Sequence, residues 1–117
     1  MTTVAHDPIV AEFHDLVNMS ATELEHWLRT DESNEVGWSN SGTGESVGHH
    51  SGRHIVTILH KHRDAYTAAD IAHMHKVVAF IKRHSAQGGP AHDPEHSRWR
   101  YSLKNWGRDP LKARRRR

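Results

Sequence analysis

One short stretch decides which class of fold is open to this chain. Ile55-Val56-Thr57-Ile58-Leu59 has enough β-branched residues to make a strand. No second stretch of that kind exists for it to pair with, and a lone strand leaves its backbone hydrogen bonds unmade. Ile55, Val56, Ile58 and Leu59 also fit one face of a helix. A helix is therefore expected there, and an all-α chain with it.

The other apolar runs agree. Ile9, Val10, Phe13, Leu16 and Val17 recur at helical spacing within residues 7–19, and Asp7 and Pro8 suit an N-cap and first turn. Ser20-Ala21-Thr22-Glu23 spells a capping box, with Met19 and Leu24 placed as a hydrophobic staple. The helix behind it runs to about residue 29 and buries Leu24, Trp27 and Leu28. A third helix carries Ile55 to Leu59 and starts from Ser46 or Ser51. Thr67-Ala68-Ala69-Asp70 is an acidic variant of the capping box, stapled by Tyr66 and Ile71. From it Ile71, Met74, Val78 and Ile81 form one stripe flanked by Val77 and Phe80, and Gly88 is placed to end the helix. This is the longest helix and the expected spine of the core. After Gly88-Gly89-Pro90, Asp93-Pro94 is expected to start a fifth helix. It carries Trp99, Leu103 and Trp106 at i, i+4 and i+7, and Gly107 ends it.

Residues 30–47 have no period and many turn formers, so a mobile loop is expected, with Trp38 anchoring it on the core. The expected architecture is an irregular bundle of about five helices within a single domain over residues 1–110, followed by a basic tail at 111–117. Hydrophobic residues make up 35% of the chain and aromatics 7%. The core is thus modest, and the four tryptophans weigh heavily in it. The absence of cysteine excludes disulfides, thiolate metal sites and a cysteine nucleophile. No run reaches the roughly eighteen apolar residues of a membrane helix, and the first residues lack the basic and apolar regions of a signal peptide. A cytoplasmic protein is expected, with no membrane partner.

Charge is distributed unevenly. Residues 1–47 hold nine acids against one base, whereas residues 98–117 hold nine bases against one acid, Asp109. Such asymmetry points to nucleic acid. Lys112, Arg114, Arg115, Arg116 and Arg117 place five cations within six residues. Five phosphate contacts give a salt slope of roughly −4 to −5 on duplex DNA. Arg98, Arg100, Lys104 and Arg108 alternate with Trp99, Tyr101 and Trp106 just upstream. One face of that helix is expected to enter the core while the other stays basic, with Tyr101 available to stack on a base. Arg53, in a run of glycines and serines at a helix start, is a further phosphate contact. The expected function is binding of DNA, or RNA, through the backbone and without sequence readout, near the nucleoid if the target is DNA. A protein-interaction module is the alternative.

Thirteen histidines raise a metal as another alternative. His50 with His54, and His92 with His96, stand four apart, the spacing at which two imidazoles on one helix face reach one ion. Neither pair has the intervening glutamate of a zinc hydrolase. No nucleophile elbow, P-loop or dinucleotide fingerprint appears, so neither an enzyme nor a cofactor is expected. Protonation of many histidines near pH 6 is expected to raise affinity for a polyanion.

FHDLVNMSATELEHWL, GESVGHHSGRHIVTILHKH, DIAHMHKVVAFIKRHSAQ and SRWRYSLKNWGRDPLK, in that order, resemble a family described as domain of unknown function 3140. The resemblance covers residues 13–112. It implies no catalytic or ligand residue to carry over, and residues 113–117 lie outside it.

Overall fold

The computed structural model describes residues 7–36 and 46–112. Among them are six α-helices and no strand: α1 Pro8–Leu16, α2 Ala21–Leu28, α3 Asp31–Glu35, α4 Val47–His60, α5 Ala68–Gln87 and α6 Arg98–Asn105. Single 3-10 turns at Arg63–Ala65 and Pro94–His96 precede α5 and α6. The fold is an all-α bundle, and Ile55 to Leu59 lie inside α4.

Each long helix starts where the sequence places a cap. The Asp7 carboxylate accepts from Ile9 N at 3.0 Å, and both capping boxes close. Ser46, not Ser51, caps α4 by accepting from His49 N. The end of α6 is set by Gly107 at φ 86°, where Arg108 N reaches Leu103 O at 3.0 Å and Gly107 N reaches Lys104 O at 2.9 Å. This six-to-one and five-to-two pair satisfies the last carbonyls, and it requires the left-handed residue that glycine supplies.

α5 is the spine. α1 packs along it, α2 packs on α4, and α6 closes over α2, α4 and α5. Phe13, Leu24, Ile55, Ile58, Met74, Val77 and Leu103 have no exposed surface and form the centre. Burying each of these larger side chains contributes about 1.5–3 kcal/mol. α4 approaches α6 and α2 so closely at Gly52 that a Cβ there would stand 2.6 Å from Asn105 O and 2.8 Å from a Leu28 methyl.

Three expectations need correction. Residues 31–35 of the expected loop are helical: Thr30 caps them, Asp31 and Glu32 favour the positive end, and Ser33 and Val36 are buried. A five-residue helix has little stability alone, so packing against α6 holds it, and that packing has no signature in local sequence. Residues 37–45, including Trp38, lie outside the described residues. The last helix starts at Ser97 rather than Asp93. Asp93 adopts a left-handed φ of 50° that interrupts the chain, and Ser97 Oγ takes over as cap for Arg100 N. With α3 the described residues hold six helices, in keeping with a bundle of about five. The first helix stops at Leu16, where the chain turns extended at Val17.

Candidate functional site

The cations expected to face a polyanion are largely spoken for inside the fold. Arg100 grips Asp109 with two guanidinium nitrogens, Nε and Nη2, each 3.0 Å from a different carboxylate oxygen, and donates to Glu95 O at 3.2 Å. Burial alone would raise the Asp109 carboxyl, but Arg100 outweighs it and holds it below the usual carboxylate range. Lys104 sits 4.0 Å from the centre of the Trp27 ring, and burial, followed by Arg100 nearby, lowers its ammonium pKa. Arg108 donates to Leu16 O at 3.0 Å and Arg98 to Glu35 O at 3.1 Å. Lys112 bridges Glu23 and Asn18 O at 2.8 and 2.6 Å, docking the first charge of the expected tail onto the start of α2. Tyr101 is half-buried against Trp27, ring centres 5.5 Å apart. Arg53 is exposed on α4. Arg114, Arg115, Arg116 and Arg117 lie outside the described residues.

The two histidine pairs are placed differently. His92 stands in a bend before the 3-10 turn, so it shares no helix with His96, and His96 Nδ1 pairs with the Asp93 carboxylate at 2.9 Å. That pairing raises the His96 pKa. His50 and His54 do share α4, but His54 Nε2 is engaged with Asp70 Oδ1 at 3.0 Å. Asp70 is a buried hub that also accepts from Lys61 Nζ at 2.7 Å and from Thr67 N at 2.9 Å. Burial pushes its carboxyl up, and these three donors more than reverse it, so Asp70 stays ionised far below the usual range. His14 bonds to Tyr66 at 2.9 Å and His60 to Glu25 at 2.8 Å.

Other histidines build a column of stacked rings across three helices. His54 lies over His73 at 4.3 Å, His73 over Trp106 at 6.1 Å, Trp106 over Phe80 at 4.3 Å and Phe80 over His84 at 4.5 Å, with interplanar angles of 11–21°. His73 and Phe80 are seven residues apart on α5. Two turns of helix rise about 10.5 Å, and Trp106 fills that gap from the end of α6. His73 Nε2 meets Ser51 Oγ at 2.9 Å, and burial, then the His54 charge, pushes its pKa down to about 4. Burial likewise lowers His14 and His84.

Beside this column α4, α5 and α6 enclose an open groove of about 600 Å³. Val47 and Gly48 border it from the first turn of α4, Ala79 and Phe80 from α5, and Asn105 and Trp106 from α6. Lys76 and Arg83 reach it from positions two turns apart on the exposed side of α5. Asn105 closes the deep end: its Oδ1 accepts from Trp27 Nε1 at 2.7 Å and Ser33 Oγ at 2.6 Å, and its Nδ2 donates to Ser33 O at 3.1 Å.

Sequence reasoning missed the groove. Phe80 was placed only as a flank of the core stripe. The signal for it was the spacing of His73, Phe80 and His84, a second aromatic stripe on α5 beside the aliphatic one. Asn105 gave no signal, because an amide in a polar helix reads as surface.

Residues 12–104 match the family model described as protein of unknown function (DUF3140). No curated protein and no solved structure matches the chain.

Proposed function

The chain belongs to the DUF3140 family, and from that premise we propose that it binds nucleic acid, DNA in the first place, through phosphate contacts of Arg114, Arg115, Arg116 and Arg117. The observation that carries this reading is the state of the five described bases in residues 98–112. Arg98, Arg100, Lys104, Arg108 and Lys112 already have acceptors or an aromatic face within the protein. Moving any of them to a phosphate exchanges one favourable contact for another, with little net gain. The four consecutive arginines are the densest charge in the chain. Guanidinium groups pair bidentately with phosphate and release condensed counterions. Binding of this kind reads the backbone and not the bases.

The test is a comparison of three proteins on a duplex oligonucleotide at low salt: the full chain, a chain ending at residue 112, and R98Q/R108Q in the full chain. Truncation is expected to weaken binding at least 100-fold, on the order of 1 kcal/mol per lost phosphate contact. R98Q/R108Q is expected to change it less than about threefold. Equal affinity of the full and truncated chains would overturn the proposal. Burial holds His14, His73 and His84 below the ordinary histidine pKa, so any rise in affinity on acidification to pH 6 comes from other histidines.

A further inference from the structure

The groove between α4, α5 and α6 has the size of a small-molecule site. Its polar equipment is one-sided. Lys76 and Arg83 have no acid partner among the described residues, and Arg83 stands 6.0 Å from the centre of the Phe80 ring. The indole nitrogen of Trp106 lies against Gly48, 3.3 Å from where a Cβ would be, and donates to no acceptor among the described residues. α4 is a 14-residue helix whose first-turn amides point N-terminally; Ser46 satisfies that of His49, leaving those of Val47 and Gly48 beside the groove. Asn105 Oδ1 is already filled by two donors, which leaves the Ser102 hydroxyl and the His84 ring as side-chain acceptors on the lining. The site therefore offers positive charge and more donors than acceptors.

The apolar walls narrow the ligand further. Val47, 45% exposed, and Ala79 give aliphatic surface at the mouth. Phe80 stacks on Trp106 and His84 at 4.3 and 4.5 Å, and Trp106 lies 6.1 Å from His73, so both half-buried rings give aromatic surface to the groove.

We propose that this groove binds a small organic carboxylate, its aryl or acyl body against Val47, Ala79, Phe80 and Trp106, its carboxylate held by Arg83 and Lys76. The site shares no residue with the terminal arginines and stands or falls independently of nucleic-acid binding.

The test uses 1-naphthoate as probe, with the uncharged 1-naphthalenemethanol and inorganic phosphate beside it, followed by the indole N–H resonances of the full chain. 1-Naphthoate is expected to shift the Trp106 indole and Gly48 amide signals saturably, leaving the buried Trp27 indole in place. The neutral analogue and phosphate should each bind at least tenfold more weakly, since each lacks one half of the recognition. R83M and K76M alter exposed side chains and should each weaken 1-naphthoate about three- to tenfold with the remaining spectrum unchanged. No saturable shift up to about 10 mM, phosphate binding as well as 1-naphthoate, or full affinity in the R83M/K76M double variant would each overturn the proposal.

Discussion

Asn105 shows how a single side chain ties distant parts of this chain together. Its amide joins Trp27 of α2 and Ser33 of α3 to the end of α6, across 72 and 78 residues of sequence. Replacement by alanine leaves a buried indole N–H and a buried hydroxyl without acceptors. The cost of such orphaned donors is about 1–3 kcal/mol each. N105A should therefore lose about 2–4 kcal/mol in urea unfolding, and a loss under 1 kcal/mol would contradict the hub. His73 acts at the same scale through its proton. A histidine in the unfolded chain titrates near 6.5, whereas His73 in the fold stays neutral to about pH 4. Its contribution is whole above pH 6.5 and is lost as pH falls toward 4, because the unfolded state binds the proton first. The loss is about 2 kcal/mol once the partly solvated ring is allowed for. H73F keeps a ring in the column and removes the proton site, so its stability should fall less steeply than wild type between pH 6.5 and 4. Equal slopes would assign the acid sensitivity elsewhere. Asp70 acts lower: its lowered pKa gives stability that is present above about pH 4 and lost below it.

At the scale of elements, legibility followed locality. The capping boxes at Ser20 and Thr67, the Asp7 cap and the Gly107 terminus depend on residues within six positions of one another, and each stands in the structure as read. α3 was not legible, because Thr30 to Glu35 has no apolar stripe and its burial comes from Asn105, 72 residues beyond Ser33. The start of α6 was misplaced because Asp93-Pro94 and Ser97 both resemble caps; the left-handed Asp93 decides between them. The groove was invisible for the same reason as α3, since its walls come from three helices. Gly52 gives the sharpest test of how those helices meet. Its missing Cβ lets α4 lie against the Asn105 carbonyl, which is backbone and cannot swing away. G52A is expected to lower stability by about 2–3 kcal/mol by overpacking, visible as a shift in the urea midpoint. An unchanged midpoint would mean that α4 and α6 pack less closely than described.

At the scale of the molecule, the charge asymmetry of the sequence is partly resolved by folding. Acids of the first half meet bases of the last part: Glu23 pairs with Lys112, Glu25 with His60, and Glu12 with Lys82. No described helix is long and apolar enough to cross a membrane. The account's central claim is that polyanion affinity rests on the four terminal arginines and not on the whole basic segment. The slope of log K against log salt on duplex DNA counts the phosphates neutralised. Four contacts predict a slope of about −3.6 for the intact chain. A slope near −8, the value for about nine contacts, would put the α6 cations on the phosphates after all, and the absence of any complex at low salt would contradict nucleic-acid binding itself.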